Sequence, residues 1–322
     1  MKVADLIASR TKDWKKLESD VQWCRASLKK SPKRLVQFAR HYRSVCGDLS
    51  LAISMRFPSG TTRYLHELVA DAHTQLYRAE TFRIRQWGRT MLVDVPRRIL
   101  RDPCTWISFL VFWGLFGGAM LAGVIHDEFP ESIVGAETLE HVDDMYAKPI
   151  NSEAFEDSRA FMTGFYLMNN AGIGLRCFAS GIFLGIGSLI VLAFNAITLG
   201  AIFGHMIRSP SSSNFLTFVT AHGPFELTAV VLSGAAGLRL GWAIIDTKGW
   251  NRLESLRRTA PRSLEIAGIA TLLFLFAAYI EGQISPSELP YAFKAAVAVV
   301  SSLLLLGYVL VLGLQKPGGS AP

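Results

Sequence analysis

The sequence has few cysteines, and their spacing fits neither a disulfide framework nor a metal site. The four cysteines are far apart, at Cys24, Cys46, Cys104 and Cys177, so we predict no disulfide and no zinc bound by cysteine. The chain also lacks a metalloprotease HExxH helix, a glycine-rich phosphate loop and a visible nucleophile–base pair. The sequence therefore points to no enzyme class, and we predict no catalytic residue, no metal and no cofactor.

Acidic residues are scarce in the first third of the chain and concentrated in one later segment. Residues 1–101 carry 21 Lys and Arg against 9 Asp and Glu, whereas residues 126–159 carry 2 against 10. Cytoplasmic loops of membrane proteins are enriched in Lys and Arg. We therefore expect 126–159 to be an outer acidic loop and both termini to be cytoplasmic. No cleavable signal peptide is expected, because no short apolar core with a small-residue cleavage site follows Met1.

Long apolar runs fill the remainder of the chain. Half of all residues are hydrophobic, and they cluster into stretches long enough to cross a bilayer. The expected fold is all-α: a polytopic membrane helical bundle in 102–322, preceded by a cytoplasmic helical domain in 1–101. The predicted spans are about 106–125, 177–207, a broken 215–245, 263–280 and 291–314.

Residues 1–101 have the periodicity of amphipathic helices. Apolar residues recur three and four positions apart in three successive segments, as in Trp14, Leu17, Val21 and Cys24. Ser31 and Pro32 are typical of a helix start, and Pro58 follows the second helix. A basic run before the first span is better explained by anionic lipid headgroups than by nucleic acid, which we do not expect as a partner.

The most informative stretch is 215–245, which is almost wholly apolar but contains His222, Gly223, Pro224 and Glu226. Ionisable side chains are costly in a bilayer, so this pair is a functional hypothesis. Pro224 suits the first turn of a helix. On that helix His222, Glu226, Ser233 and Gly237 share one narrow stripe, which should face protein or water.

Three interpretations of His222 and Glu226 remain open: a structural pair that holds a broken helix, a proton or ion pathway, and a metal site. A metal site needs a third ligand; His205 and Glu281 are available, but no spacing selects either. Asn195 is interpreted as an interhelical hydrogen-bonding residue. Gly114, Gly118, Gly237 and Gly241 are predicted to be helix-packing positions.

The number of crossings conflicts with the charge pattern. If 177–207 and 215–245 each cross once, the basic loop around Arg252–Arg262 lies outside. Either 215–245 enters and turns back at Gly223–Pro224, as a re-entrant segment inside the protein, or residues 160–207 cross twice. We favour the first, with 160–174 as an interfacial helix. It predicts that cysteines placed at Ser212 and Thr259 are both shielded from outside reagents.

Three blocks resemble the stage II sporulation protein M-like family of bacterial and archaeal membrane proteins: DLSLAISMRFPSGTTRYLHELVADAHTQLYR at 48–78, HGPFELTAVVLSGAAGLRLG at 222–241 and AAYIEGQISP at 277–286. The sporulation protein itself is shorter and lacks the N-terminal helical third. The family's sporulation member works alongside peptidoglycan-cleaving enzymes. The resemblance therefore implies a non-catalytic protein of the cytoplasmic membrane that assembles or positions cell-envelope machinery.

Two other functions are kept as alternatives. One is a channel or transporter for an ion or small solute, with the His222 and Glu226 stripe lining its path. The other is an intramembrane metalloenzyme. The expected partners are the lipid bilayer, a second copy of the chain in a homodimer, and cell-envelope proteins.

Overall fold

A computed structural model describes residues 3–26, 31–76, 88–149 and 159–315. The described residues are helical and form no strand, which confirms the predicted all-α helical bundle. The chain divides into two compact units, Met1–Arg83 and Ile84–Pro322. This division lies before the sequence-based boundary at 101, because residues 95–101 pack onto the membrane helices: Arg98 forms an ion pair with Glu265.

The described residues of the N-terminal unit form three helices: α1 Val3–Ala26, α2 Pro32–Ser54 and α3 Ser59–Leu76. Their buried faces follow the predicted periodicity, because one side chain every three or four residues points into a shared core. The core residues include Trp14, Leu17, Val21, Cys24, Phe38, Val45, Ala52, Leu65, Leu68 and Ala72.

The described residues of the C-terminal unit, 88–149 and 159–315, form ten further α-helices. A π-helical turn, Thr90–Asp94, leads into the first of them. They are α4 Val95–Arg101, α5 Pro103–Ile125, α6 Glu128–Val134, α7 Ala136–Tyr146, α8 Arg159–Ala179, α9 Ile186–Arg208, α10 Ser212–Val219, α11 Gly223–Ile245, α12 Arg252–Gln283 and α13 Tyr291–Gly307.

Five of these helices are long and apolar enough to cross a membrane: α5, α9, α11, α12 and α13 with its π-helical extension to Leu312. Their outward faces carry large exposed apolar side chains, such as Leu110, Phe194 and Leu303. In a membrane protein such side chains face lipid, so this exposure is the expected state of a bundle in a bilayer.

The two ends of the bundle differ in charge. The end that carries α6 and α7 is here called the acidic end, and the end that carries α4 and the start of α12 is called the basic end. Helices α5 and α9 run in the same direction, because Gly200 lies against Phe116 and Gly204 against Met120. Both helices therefore finish at the acidic end, where Arg208 pairs with Asp127.

Helix α8 carries the chain from the acidic end back to the basic end. Asn170 lies beside Glu281 near the end of α12, whereas Cys177 lies beside Gly237 further along α11. One face of α8 exposes Phe161, Phe165, Met168 and Leu175, as a lipid-facing helix would. The interpretation of 160–174 as an interfacial helix is therefore wrong: Asn170 is buried inside the bundle, not held at a surface.

The predicted span 177–207 is two elements. Helix α8 ends at Ala179, a short 3₁₀ turn covers Ser180–Ile182, and α9 begins at Ile186. Gly185 makes this turn possible, because its φ of 81° lies in the left-handed region. Residues 160–207 therefore run through the bundle twice, which is the second of the two solutions to the charge conflict.

The stretch 215–245 is broken but does not turn back at Gly223–Pro224. Helix α10 is a short element at the acidic end, where Asn214 donates to the carbonyl of Tyr146. Helix α11 then runs without interruption to the basic end, where Arg239 pairs with Asp102. Its 23 residues span about 34 Å at 1.5 Å per residue, enough for one crossing.

Within the part of the chain that the structure describes, six helices thus connect the two ends: α5, α8, α9, α11, α12 and α13. This even number returns the chain to the basic end, where Arg97 donates to the carbonyl of Gln315. The basic loop that follows α11 lies at the basic end, because Ser255 donates to the carbonyl of Ala243. The charge pattern and the helix count no longer conflict.

Candidate functional site

The apolar stretch singled out in the sequence places its two ionisable side chains at the acidic end of the bundle. His222 immediately precedes α11 and Pro224 lies in the first turn, where its missing N–H leaves no hydrogen bond unmade. Glu226 follows one turn later, so its carboxylate returns towards the imidazole. The distance from His222 Nε2 to Glu226 Oε2 is 3.6 Å.

That distance is too long for a hydrogen bond, so the two side chains are neighbours and not a bonded pair. The hydrogen bond of the imidazole is made on its other nitrogen: His222 Nδ1 lies 3.0 Å from Ser285 Oγ. If Nδ1 carries the proton and donates it to the hydroxyl, the lone pair of Nε2 faces Glu226. Ser285 thus orients the ring.

A third ionisable side chain, Glu281 of α12, completes the group. One potential ligand atom each of His222, Glu226 and Glu281 lies within 4.8 Å of the other two. We call these three residues the His222 cluster. His222 and Glu281 are buried, whereas Glu226 is partly accessible. This is the set of described residues that could hold a metal ion.

Helix α8 supplies a hydrogen bond that positions Glu281. Asn170 Nδ2 donates to Glu281 Oε2 over 3.3 Å, and Asn169 Nδ2 donates to Asn170 Oδ1 over 3.0 Å. Asn170 is thus buried inside the protein, and Asn169 is exposed beside it. The sequence alone placed the segment 160–174 at a surface, because nothing local to it shows that a carboxylate 111 positions after Asn170 lies beside that residue.

Aromatic side chains from the acidic-end helices surround the cluster. The ring of Phe218 packs edge-on against His222, with centroids 5.8 Å apart, and Tyr146 of α7 packs against Phe218. Burial raises the pKa of the Tyr146 phenol, and the negative charges of Glu281 and Glu226 contribute to the rise. The loop helix α7 therefore lies close to both carboxylates.

A buried lysine fixes the turn that carries Ser285. Lys294 Nζ donates to the carbonyl of Ser285 over 2.7 Å and to that of Ser287 over 2.9 Å. Lys294 is 2% exposed, and among the described residues its ammonium group donates to these carbonyls and to neither carboxylate of the cluster. The start of α13 thus holds the end of α12 in place.

The other predicted site residues lie elsewhere. Asn195 Nδ2 donates to the carbonyl of Val191 in its own helix, so this contact is not interhelical. Ser233 is buried two turns below Glu226, beside Gly174. His205, the alternative third ligand, pairs with Asp143 over 2.7 Å.

Two of the four predicted packing glycines lie at very close helix approaches. A Cβ on Gly237 would lie 2.7 Å from the carbonyl oxygen of Cys177, and one on Gly241 would collide with the backbone of Gly185 and Gly181. By contrast, a Cβ on Gly114 or Gly118 would meet nothing within 4 Å. Helix α5 packs on α9 through another face, which includes Gly123.

These glycine contacts close the bundle on the basic side of the cluster. Below Glu226, the ring of Phe274 and the hydroxyl of Ser233 lie against Gly174. One turn further along α11, the backbone of Gly237 packs against the backbone of Cys177 and Phe178. On this face of α11, which carries the predicted polar stripe, the described residues are therefore closely packed.

Comparison with known proteins agrees with this architecture. Residues 107–286, which contain α5 to α12 and the whole His222 cluster, match the family described as stage II sporulation protein M. This chain belongs to the stage II sporulation protein M family. Residues 4–78 match a domain of unknown function, which corresponds to the three-helix N-terminal unit. The family assignment confirms the resemblance seen in the sequence.

The chain is also similar to an uncharacterized protein of Methanocaldococcus jannaschii. The two sequences are 26% identical over 130 residues, which is 39% of this chain and 71% of that protein. No solved structure matches the chain. As a member of the stage II sporulation protein M family with several apolar helices, the chain is a membrane protein.

Proposed function

We propose that this protein is a non-catalytic component of a bacterial or archaeal cytoplasmic membrane that assembles or positions cell-envelope machinery. The proposal rests on the helices that the buried polar groups connect. His222, Glu281 and Asn170 connect α8, α11 and α12 at one end of the bundle. They organise a surface at the acidic end, and tight packing below them opposes a transport path.

The acidic end offers a surface on which envelope proteins could dock. Helices α6 and α7 expose Glu131, Glu137, Glu140 and Asp144 to solvent, together with the apolar Ile133 and Met145. A mixed acidic and apolar surface suits a protein partner with basic side chains. By the charge rule this end faces outwards and both termini are cytoplasmic, so the surface faces the compartment in which peptidoglycan enzymes act.

Complementation with charge-reversed variants tests this role. In a strain lacking the protein, we expect Glu137→Lys/Glu140→Lys to insert normally but fail to restore envelope composition and cell shape. Glu288→Lys is the matched control, because Glu288 is exposed after α12 and outside α6 and α7. Full complementation by the double variant would contradict the proposed docking role.

The ionisable His222 cluster favours a second candidate, an ion conduit, and liposome flux measurements separate the two. A conduit requires ion or proton flux through reconstituted protein that Glu226→Gln abolishes without unfolding it. The positioning role predicts no flux above that of protein-free liposomes. The conduit would be the better explanation if Glu226→Gln abolished flux and the charge-reversed variant complemented fully. The positioning role would then be wrong.

The homodimer stays a prediction from the sequence. The ridge of Gly114 and Gly118 on α5 faces no neighbouring group within 4 Å, so a second copy has room to approach it. Cysteine cross-linking through Gly118→Cys in membranes tests this geometry, and Gly268→Cys on α12, which also has nothing within 4 Å, is the control.

A further inference from the structure

We propose that the His222 cluster binds one divalent transition-metal ion, of which Zn²⁺ is the representative probe. The ligands are His222 Nε2 and one carboxylate oxygen each of Glu226 and Glu281. The ion holds the acidic ends of α11 and α12 together. This proposal is independent of the positioning role, because it concerns the stability of the acidic end and not its partner.

The spacing of the ligand atoms fits coordination of one metal ion better than it fits a direct hydrogen bond between the side chains. His222 Nε2 and Glu226 Oε2 are 3.6 Å apart, which exceeds a hydrogen bond. Two atoms that each lie about 2.1 Å from one tetrahedral zinc ion are separated by roughly 3.4 Å. The potential ligand atom of Glu281 lies within 4.8 Å of both, so a small movement of one carboxylate completes the set.

The groups around the three ligands are those that support metal ligands in proteins. Imidazole ligands usually donate their second N–H to an oxygen, which fixes the tautomer. Here Nδ1 of His222 lies 3.0 Å from Ser285 Oγ, and Lys294 in turn holds the Ser285 carbonyl. Asn170 orients Glu281 in the same manner.

Charge balance gives a further reason for a cation. Two carboxylates in one poorly hydrated site repel each other unless a positive charge or a proton lies between them. Lys294 does not supply that charge directly, because among the described residues it donates to main-chain carbonyls. A divalent ion bound by two carboxylates and a neutral imidazole makes the site neutral, and the imidazole favours a transition metal over Ca²⁺ or Mg²⁺.

Metal content of the purified full-length protein tests the proposal. After chelator treatment and addition of Zn²⁺, we expect one ion per chain and a raised Tm. Glu226→Gln, Glu281→Gln and His222→Gln should each lower Zn²⁺ affinity about tenfold or more. His205→Gln is the control, because His205 lies at the same end but pairs with Asp143, and it should bind as the wild type does.

A second variant separates metal loss from misfolding. Glu226→His removes the same carboxylate as Glu226→Gln but restores a ligand one helical turn from His222, so it should bind Zn²⁺ again. The Co²⁺-loaded wild type should show the visible absorption of a nitrogen- and oxygen-ligated site. Wild-type protein that retains no Zn²⁺, or cluster variants that bind Zn²⁺ as the wild type does, would overturn the proposal and leave a proton-sharing structural cluster.

An independent cavity at the basic end carries a second proposal: we infer that it binds the phosphate group of an anionic molecule. The cavity has a volume of about 180 Å³ and is lined by four arginines, one aspartate and one isoleucine: Arg98, Arg101, Asp102, Arg239, Arg262 and Ile266. Arg239 pairs with Asp102, and Arg98 pairs with Glu265. Arg101 and Arg262 add two further positive charges.

The arginines are close enough to repel one another. Burial lowers the pKa of Arg98, and the positive charges of Arg262 and Arg239 contribute. Trp106 donates its indole N–H to the carbonyl of Leu100 beside the cavity, and tryptophan is typical of the headgroup level of a membrane. Converging guanidinium groups at this depth suit a phosphate.

Thermal unfolding in nanodiscs tests this site. It also distinguishes a lipid headgroup from a soluble anion as the source of the phosphate. We expect a higher Tm in phosphatidylglycerol than in phosphatidylcholine, and Arg262→Gln should remove that difference. Arg257→Gln should retain it, because Arg257 belongs to the same helix but does not line the cavity. A Tm that rises with inorganic phosphate in phosphatidylcholine instead identifies a soluble anion. If neither probe distinguishes the wild type from Arg262→Gln, the inference is wrong.

Discussion

A guanidinium nitrogen of Arg239 lies 2.8 Å from the carboxylate of Asp102, a side chain that is 5% exposed. The contact joins the last turns of α11 to the residue that precedes α5. It fixes the position of α11 along the bundle: His222 lies at the acidic end and Arg239 at the basic end. The topology of the whole membrane unit follows from that direction, because α12 returns antiparallel to α11.

Ser212 and Thr259 should lie on opposite sides of the membrane. The acidic-end helices fix the start of α10, whereas Thr259 belongs to the part of α12 at the basic end. In a Cys46→Ala background, we expect an impermeant thiol reagent added outside intact cells to label Ser212→Cys and not Thr259→Cys. The sequence-based expectation that both are shielded followed from the re-entrant interpretation. Labelling of Thr259→Cys alone would invert the orientation.

Gly241→Ala should destabilise the membrane unit although it adds a single methyl group. The new Cβ would collide with the backbone of Gly181 and Gly185, which cannot move aside as a flexible side chain would. Overpacking of this kind costs about 1–3 kcal/mol, so we expect a lower Tm in detergent.

Gly118→Ala is the matched control for that substitution. It lies in a transmembrane helix with nothing within 4 Å of its Cβ position. Alanine is the better helix former by about 0.5–1 kcal/mol, so the Tm should be unchanged or slightly higher. Equal losses for Gly241→Ala and Gly118→Ala would mean that the close approach of α11 to Gly185 does not govern stability.

Local patterns in the sequence were sufficient to predict the N-terminal helices. Trp14, Leu17, Val21 and Cys24 recur at helical spacing and are all buried. The i, i+4 spacing likewise placed His222 beside Glu226. In both cases the residues that meet lie within a few turns of one helix, so helix geometry alone brings them together.

The remainder of the site depends on contacts that are distant in the sequence. Glu281 and Asn170 join His222 only because α8 and α12 pack on α11. The crossing made by α8 was missed because Asn169, Asn170 and Arg176 make this helix less apolar than an ordinary span. Asn170 donates to Glu281 inside the bundle, and a hydropathy pattern does not contain that information.

Asp48→Ala should destabilise the N-terminal unit. Asp48 accepts hydrogen bonds from Trp14 Nε1 over 2.8 Å and from Arg10 Nε over 2.9 Å, and its side chain is largely buried. Removing it leaves the indole N–H and the guanidinium without that partner, which costs about 1–3 kcal/mol. Hydrogen exchange of α1 and α2 in the full-length protein measures the loss.

Asp71→Ala provides the comparison within the same unit. Its ion pair with Arg25 is 2.9 Å long, but both side chains are more than half exposed. Exposed pairs of this kind contribute about 0–1 kcal/mol, so exchange should change little. A larger effect for Asp71→Ala than for Asp48→Ala would show that the more buried of the two interactions does not contribute more to stability.

Lys294→Met should loosen the turn that orients His222. The ammonium group donates to the carbonyls of Ser285 and Ser287, and methionine keeps the length of the side chain without either donor. Two buried carbonyls then lose a charged partner, at a cost of about 1–3 kcal/mol. Because Ser285 Oγ contacts the imidazole, we expect a lower Tm together with weaker Zn²⁺ binding. Lys248→Met, in the exposed turn at the basic end, is the control and should change neither the Tm nor Zn²⁺ binding. If Lys294→Met lowered the Tm but left Zn²⁺ binding undiminished, the turn would support the fold without positioning His222.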